Sequence, residues 1–255
     1  MILTRLGNKK SLSGDIWKYF PKHRMKIIPF FGAGGIYFNT PKAKYNVLND
    51  LDDDVTNLYL VVQNQKDELA AAVKKMPISQ TLVKYWRKNT ETDPIKKAIR
   101  FLLLSNFTYL GKGDTLRIGV NNTKNALLEK IDPTFDALGN SCITNLDFRK
   151  VLNTISFSPT VLKKEDAFMY LDPVYLDTEH YYKVPKWTDE DTFDCFEMMD
   201  NSGIKCAMSE FDHPFVMSEA EKRNFVITPI KNRRNIKNTR KEILITNYRP
   251  QGLLF

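Results

Sequence analysis

The sequence predicts an α/β protein: a Rossmann-like, doubly wound mixed sheet that carries a smaller, partly helical insertion. Three observations predict it. Two short apolar runs, at residues 27–31 and 167–171, each lead into turn chemistry; segments of helical period follow them; and two strand-like stretches close the chain around a basic connection. In order, residues 26–39 (KIIPFFGAGGIYFN) read as a buried strand, a glycine-rich turn and the start of a helix. Residues 45–51 (YNVLNDL) form a second strand ending in acids, and residues 54–73 a helix with Val55, Leu58, Tyr59 and Val62 on one face. Residues 77–107 keep a helical pattern, restarted by Asp93 as N-cap and Pro94 in the first turn. Glycines and asparagines such as Gly111, Gly113, Asn121, Asn122 and Gly139 then break the periodicity through residue 160. The expected division is a core domain of residues 1–60 and 161–255 with a helical and irregular subdomain at 61–160. The sheet resumes with 167–171 (AFMYL), a helix from Thr188 through Met199, a strand at 205–209, and paired strands at 225–230 and 242–248.

Composition narrows the function classes. The 255 residues are 42% hydrophobic and 27% charged, which excludes wholesale disorder. No run approaches the roughly 18 apolar residues of a membrane helix, since 27–38 is broken by Gly32, Gly34 and Gly35. No export signal precedes Arg5, Lys9 and Lys10, so no membrane partner and a cytoplasmic location are expected. Cys142, Cys195 and Cys206 make no CxxC pair, and the three histidines fall at no ligand spacing, so neither a disulfide framework nor a metal site is expected. The net charge of +8 is concentrated: Lys222 to Lys241 hold eight basic residues and no acid, and the first 26 residues hold seven against Asp15 alone. Such clustering is the electrostatic footprint of a polyanion partner, with a solvated basic face as the alternative.

Two motifs carry chemistry. The glycine loop fails the dinucleotide fingerprint GxGxxG, because its sixth position is Tyr37. With Asp50 lying 18 residues beyond Gly32, at the end of the next strand, it suits an adenosyl ligand that lacks a pyrophosphate; an ordinary tight turn is the competing explanation. Asp172-Pro173-Val174-Tyr175 follows an apolar strand and so projects from a strand's carboxyl end, where open α/β sheets bind ligands.

Taken as an ordered set, these segments resemble the Dam-type DNA adenine methyltransferases. Arg5-Leu6-Gly7-Asn8-Lys9-Lys10-Ser11-Leu12 resembles the family's N-terminal motif, residues 29–39 its FxGxG loop and Asn49-Asp50-Leu51 its acidic second strand. Residues 93–111 resemble the segment leading into target recognition, 172–175 stand where the family has DPPY, and 239–250 resemble its C-terminal strand. The resemblance implies S-adenosylmethionine as cofactor, bound by Arg5, Lys9, Phe30, Gly32, Ala33, Gly34 and Asp50 in the core domain. It implies double-stranded DNA as partner and methyl transfer to the 6-amino group of a flipped adenine, with Asp172, Pro173 and Tyr175 as the catalytic set.

The physical logic of that set is independent of the family. An adenine amine is a poor nucleophile until hydrogen-bond acceptors draw on its N–H groups; the Asp172 carboxylate and the Pro173 carbonyl are such acceptors, and Tyr175 offers a face for the extruded base. Tyr109, Lys112, Arg117 and Lys124 fall in the implied recognition subdomain, and Arg233 and Arg234 are expected to position the DNA through its phosphates. Packing residues and solvated charges are the competing explanation for these six. The enzyme is expected to be monomeric, with a dimer on DNA as the alternative. Three positions depart from the family: Val174 replaces the second proline of DPPY, Ile28 an acid, and Arg5 an aromatic. A weakened DNA-binding relative, or methylation of RNA or protein, stays open at this point.

Overall fold

A computed structural model describes residues 1–5, 7–117, 119, 123–178, 185–234 and 239–250, the side chains of 232–234 and 239 excepted. Its centre is a seven-stranded sheet of order β3-β2-β1-β4-β5-β7-β6. The strands are β1 (Met25–Ile28), β2 (Tyr45–Asn49), β3 (Ser141–Thr144), β4 (Ala167–Leu171), β5 (Lys205–Phe211), β6 (Val226–Arg234) and β7 (Thr239–Thr246). The first five are parallel; β7 enters antiparallel between β5 and β6. The doubly wound mixed sheet expected from the sequence is present.

Burial follows position in that sheet. Central strands β1 and β4 are buried at every residue, as strands covered on both faces must be; β4 accordingly reads as an unbroken apolar run, whereas β1 also buries Lys26, whose ammonium donates to Thr40 Oγ1 and the Pro41 carbonyl at 3.1 and 2.7 Å. Alternate residues feed opposite cores. Ile28 and Leu48 meet the helices α3 (Asp53–Asn64), α4 (Lys66–Lys75), α5 (Gln80–Lys88), α6 (Pro94–Asn106), α7 (Lys124–Leu128) and α8 (Ile131–Leu138). Ile27, Met169 and Met208 meet α9 (Phe148–Val151), α10 (Asp189–Asn201) and α11 (Pro214–Lys222) on the other face. Two short helices, α1 (Ser13–Trp17) and α2 (Gly35–Asn39), pack Ile16 and Ile36 against Phe168 and Tyr170.

The helix starts are chemical. Asp93 accepts a hydrogen bond from Lys96 N at 2.8 Å to cap α6, with Pro94 in its first turn. Thr188 and Asp191 form a reciprocal capping box at α10. Two expectations shift. The helix read over 54–73 divides at Gln65, whose φ of −143° and ψ of 42° end α3 and begin α4. The irregular stretch expected through residue 160 ends earlier, because Ser141–Thr144 is the sheet's edge strand, paired parallel with β2. Four residues (SCIT) with one strongly apolar member give too little pattern to mark a strand. Helices α3 to α8 therefore lie in the connection between β2 and β3.

Candidate active site

Strand order decides which loops meet. β1 and β4 are neighbours, with Ile27 opposite Met169, yet 138 residues separate them. Their adjacency marks the point where the sheet winds in opposite directions, so the segments leaving their carboxyl ends flank one crevice. From β1 comes the glycine loop; from β4 come Asp172 to Tyr175; from β2, on the other side of β1, comes Asp50. All three line a single cavity of about 410 Å³, within the range of small-molecule sites.

The half of the cavity beside β1 and β2 is built largely from backbone and aromatic rings. Asp50 Oδ2 accepts from Gly32 N at 2.6 Å, and its Oδ1 from Asp52 N at 2.9 Å, so the second-strand acid ties the glycine loop to β2. Burial pushes the Asp50 carboxyl above the usual carboxylate range, against the opposing pull of Arg5. Gly32 adopts a φ of +51°, and a Cβ there would project into open space. Gly34 does otherwise than expected: a Cβ on it would strike the rings of Phe38 and Phe31, so it serves the turn and lies outside the lining. Its neighbour Gly35, which the sequence reading passes over, lines the cavity, and a side chain on it would collide with Asn8 and the backbone of Lys9 and Lys10. That close approach seats the N-terminal motif against the loop.

Phe30 also lines the cavity, its ring centre 5.0 Å from Phe148 and 5.6 Å from Trp187. Phe148 and Trp187 are site residues that motif reasoning misses, because they become neighbours of Phe30 only through β3 and α10. Arg149 fastens this wall, donating from Nη2 to Asp191 at 2.7 Å and from Nε to Asp194 at 2.5 Å. Arg5 lines the cavity and pairs with Asp52 at 2.5 Å. Ile28 points away into the helical core, so the departure at that position adds an apolar core residue and takes no part in the lining.

The other half of the cavity is a knot of buried charge. Asp172 Oδ1 lies 2.9 Å from Lys9 Nζ and accepts from the Tyr175 hydroxyl at 3.3 Å. Tyr175 donates more closely to Glu242 Oε1, at 2.6 Å. Lys9, expected beside the cofactor, lines the cavity within this carboxylate cluster, 4.4 Å from the centre of the Tyr175 ring. Burial pushes the Asp172 carboxyl up, opposed chiefly by Lys9, and pushes the Tyr175 phenol well up, which keeps it a donor. Glu210 Oε1 accepts from Leu176 N at 3.0 Å and its Oε2 from Phe211 N at 2.5 Å, holding the exit of the 172–175 turn against β5. Its carboxyl is pushed up to about 8 by burial, against the pull of those two N–H groups. Pro173 and Val174 complete the lining beside Asp172.

The expected recognition residues divide. Thr108 and Leu116 pair across a short loop whose turn presents Tyr109, 60% exposed, beside exposed Leu110. Arg117 is exposed at the end of the loop and Lys112 half-buried within it. Lys124 is held by the fold: its ammonium donates to the carbonyls of Lys74 and Met76 at 3.0 and 3.1 Å, closing the carboxyl end of α4. The backbones of Arg233 and Arg234 lie on β6, opposite Arg240 and Thr239, while their side chains fall outside the described residues.

A sheet of this order, with a glycine loop and an acid-Pro-x-Tyr turn across one crevice, defines a class of ligand-binding α/β proteins, and comparison narrows it. A model of the D12 class N6 adenine-specific DNA methyltransferases matches residues 6–242, and the chain belongs to that family. It is similar to the DNA adenine methylases of Salmonella typhi, 33% identical over 111 residues, and of Escherichia coli K12, 32% identical over 111 residues; each alignment covers 41% of this chain and 40% of the relative. A DNA adenine methylase of Vibrio cholerae is 26% identical over 176 residues, covering 66% of this chain and 62% of the relative. The chain thus aligns with less than two thirds of the length of these curated relatives.

Proposed function

We propose that this protein transfers a methyl group from S-adenosylmethionine to the 6-amino group of an adenine turned out of duplex DNA. One observation carries the reading: the glycine loop, Asp50 and the Asp172 turn, distant in sequence, line the same cavity. S-adenosylmethionine supplies the electrophilic methyl group when bound. The cavity's features fit such a molecule: the Phe30, Phe148 and Trp187 rings suit a planar purine, the Asp50 carboxylate suits hydroxyl donors, and Gly32 leaves room for close approach. Across the cavity, Asp172 and the Pro173 carbonyl are the acceptors that would draw on the amine and hold its nitrogen in line. Tyr175, Asp172 and the backbone that follows them are braced by Lys9, Glu242 and Glu210.

Duplex DNA is the proposed substrate because the target amine lies at the edge of a stacked base and must be extruded to reach this crevice. Tyr109, exposed on its turn, is proposed to fill the vacated stack, with Lys112 and Arg117 of the same loop near the DNA, and Arg233 and Arg234 to contact phosphates. We propose a monomer as the acting form. The reading is tested by incubating the purified protein with labelled S-adenosylmethionine and duplex DNA of mixed sequence, then mapping methylated adenines. Label on adenine within a defined sequence context is the expected result. Tight cofactor binding with no label on any DNA overturns the proposal.

A further inference from the structure

The Asp172 carboxylate, partly exposed, shares its lysine with a buried acid. Lys9, 2% exposed, holds its ammonium 2.9 Å from Asp172 Oδ1 and 3.2 Å from Glu242 Oε1. The same ammonium lies over the Tyr175 ring, so it engages both groups that an incoming base is expected to use. A carboxylate drawn on by an ammonium is a weaker acceptor for an amine, and full use of Asp172 requires Lys9 to lean away. Releasing a buried ammonium without a counter-charge is costly. Glu242 answers that need: it is 0% exposed, stands on β7 opposite Phe211 of β5, and has its Oε1 fixed by the Tyr175 hydroxyl. A site on paired strands holds its geometry better than one on a loop. The remaining acid of the cluster, Glu210, is engaged with the amides of Leu176 and Phe211 and makes no such offer to Lys9.

Resting on the function proposed above, we propose that Glu242 is a positioning residue of the methyl transfer: it takes the Lys9 ammonium from Asp172 when the adenine amine arrives, leaving the Asp172 carboxylate to that amine. The motion is short, since both oxygens are already in contact with Nζ.

Glu242→Gln keeps an oxygen for the Tyr175 hydroxyl and removes the charge. In single-turnover transfer to target DNA at saturating S-adenosylmethionine, the rate should fall roughly tenfold, and in a Lys9→Met background the same substitution should lower it no further. Cofactor affinity should be unchanged. A wild-type rate, a loss confined to cofactor binding, or a full additional loss in the Lys9→Met background overturns the inference. A second measurement needs no turnover. In a crystal structure of Asp172→Asn without ligands, Lys9 Nζ should rest on Glu242 Oε1. Asp172→Asn combined with Glu242→Gln should lower the melting temperature by more than the sum of the two, because the buried ammonium then has neither acid. An ammonium turned to solvent, or melting losses that add, overturns the inference. A wild type that methylates no DNA overturns the function proposal, and the inference then stands or falls on the structural and melting results.

Discussion

The two halves of the cavity are made of different materials. On the β1–β2 side, a carboxylate accepts two backbone amides and three aromatic rings stand beside a glycine turn. On the β4–β5–β7 side, one lysine and two carboxylates lie buried around a tyrosine, with the partly exposed Asp172 carboxylate beside them and contributions from the N-terminal segment and three strands. The first half offers shape and stacking, which bind a ligand alike before and during reaction. The second concentrates charge where the proposed transfer would polarise an amine, and charge in a water-poor setting acts on the transition state more than on binding. Affinity and rate should therefore be separable by substitution.

The largest expected effect tests that separation directly. Asp172→Ala should lower the methyl-transfer rate by a factor on the order of 10³, the scale for removing one preorganised polar contact to a developing charge, while the dissociation constant for S-adenosylmethionine changes little. Equal losses in both would mean that the two halves act as one. The mirror experiment is Phe148→Ala. It opens the ring wall beside Phe30 and Trp187, and should weaken cofactor binding by about 10- to 100-fold, as expected for loss of a buried aromatic contact. Transfer at saturating cofactor should stay near wild type. A rate collapse that extra cofactor cannot restore would assign Phe148 to the chemistry.

The same division explains what was legible in the sequence. The glycine loop, Asp50 and the Asp172 turn each sit at the end of a strand whose apolar run announces it, so their convergence follows once the parallel order is known. Helix starts at Asp93 and Thr188 were readable from their caps. Phe148 and Trp187 were not, since β3 is a four-residue strand with weak patterning and their partner Phe30 lies more than a hundred residues away. Glu210 and Glu242 were hidden for another reason. An acid in a strand ordinarily reads as its solvent face, whereas here β5 and β7 are central strands and both acids turn inward. Lys9, which the resemblance gives to the cofactor, has its ammonium beside Asp172, a contact between the N-terminal motif and the end of β4 that no sequence spacing announces.

Acidity should separate the halves in a third way. The Glu210 carboxyl stands at about 8, raised by burial from an ordinary value near 4.5. Between those values the folded state holds a proton that the unfolded chain releases, so stability should be full at the acidic end and fall as pH rises through 8. Melting temperatures of the wild type from pH 5 to 8.5 should show that decline. Glu210→Gln should melt lower throughout, because an amide cannot accept from both Leu176 N and Phe211 N, yet its curve should be flatter over the same range. A wild-type profile rising toward pH 8 would remove Glu210 as the titrating group. Transfer rate should respond oppositely: Asp172 must be ionised to accept, its carboxyl is raised by burial, and activity should therefore be lost on acidification at a pH above the ordinary carboxylate range.

The smallest expected effect lies outside both halves and distinguishes a cation that holds the fold from one that meets DNA. Lys124 donates to two carbonyls at the end of α4, so Lys124→Ala should lower stability by about 0.3–1 kcal/mol, the scale of a cationic helix-end interaction. Its DNA affinity should keep the wild-type salt dependence. Arg117, exposed beside the Tyr109 turn, should differ in its salt response: if its guanidinium meets a phosphate, Arg117→Ala should reduce the slope of log affinity against log salt by about 0.9. An unchanged slope with altered preference among DNA sequences would instead place Arg117 on a base edge. A reduced slope for Lys124→Ala would show that its ammonium leaves the α4 carbonyls when DNA binds.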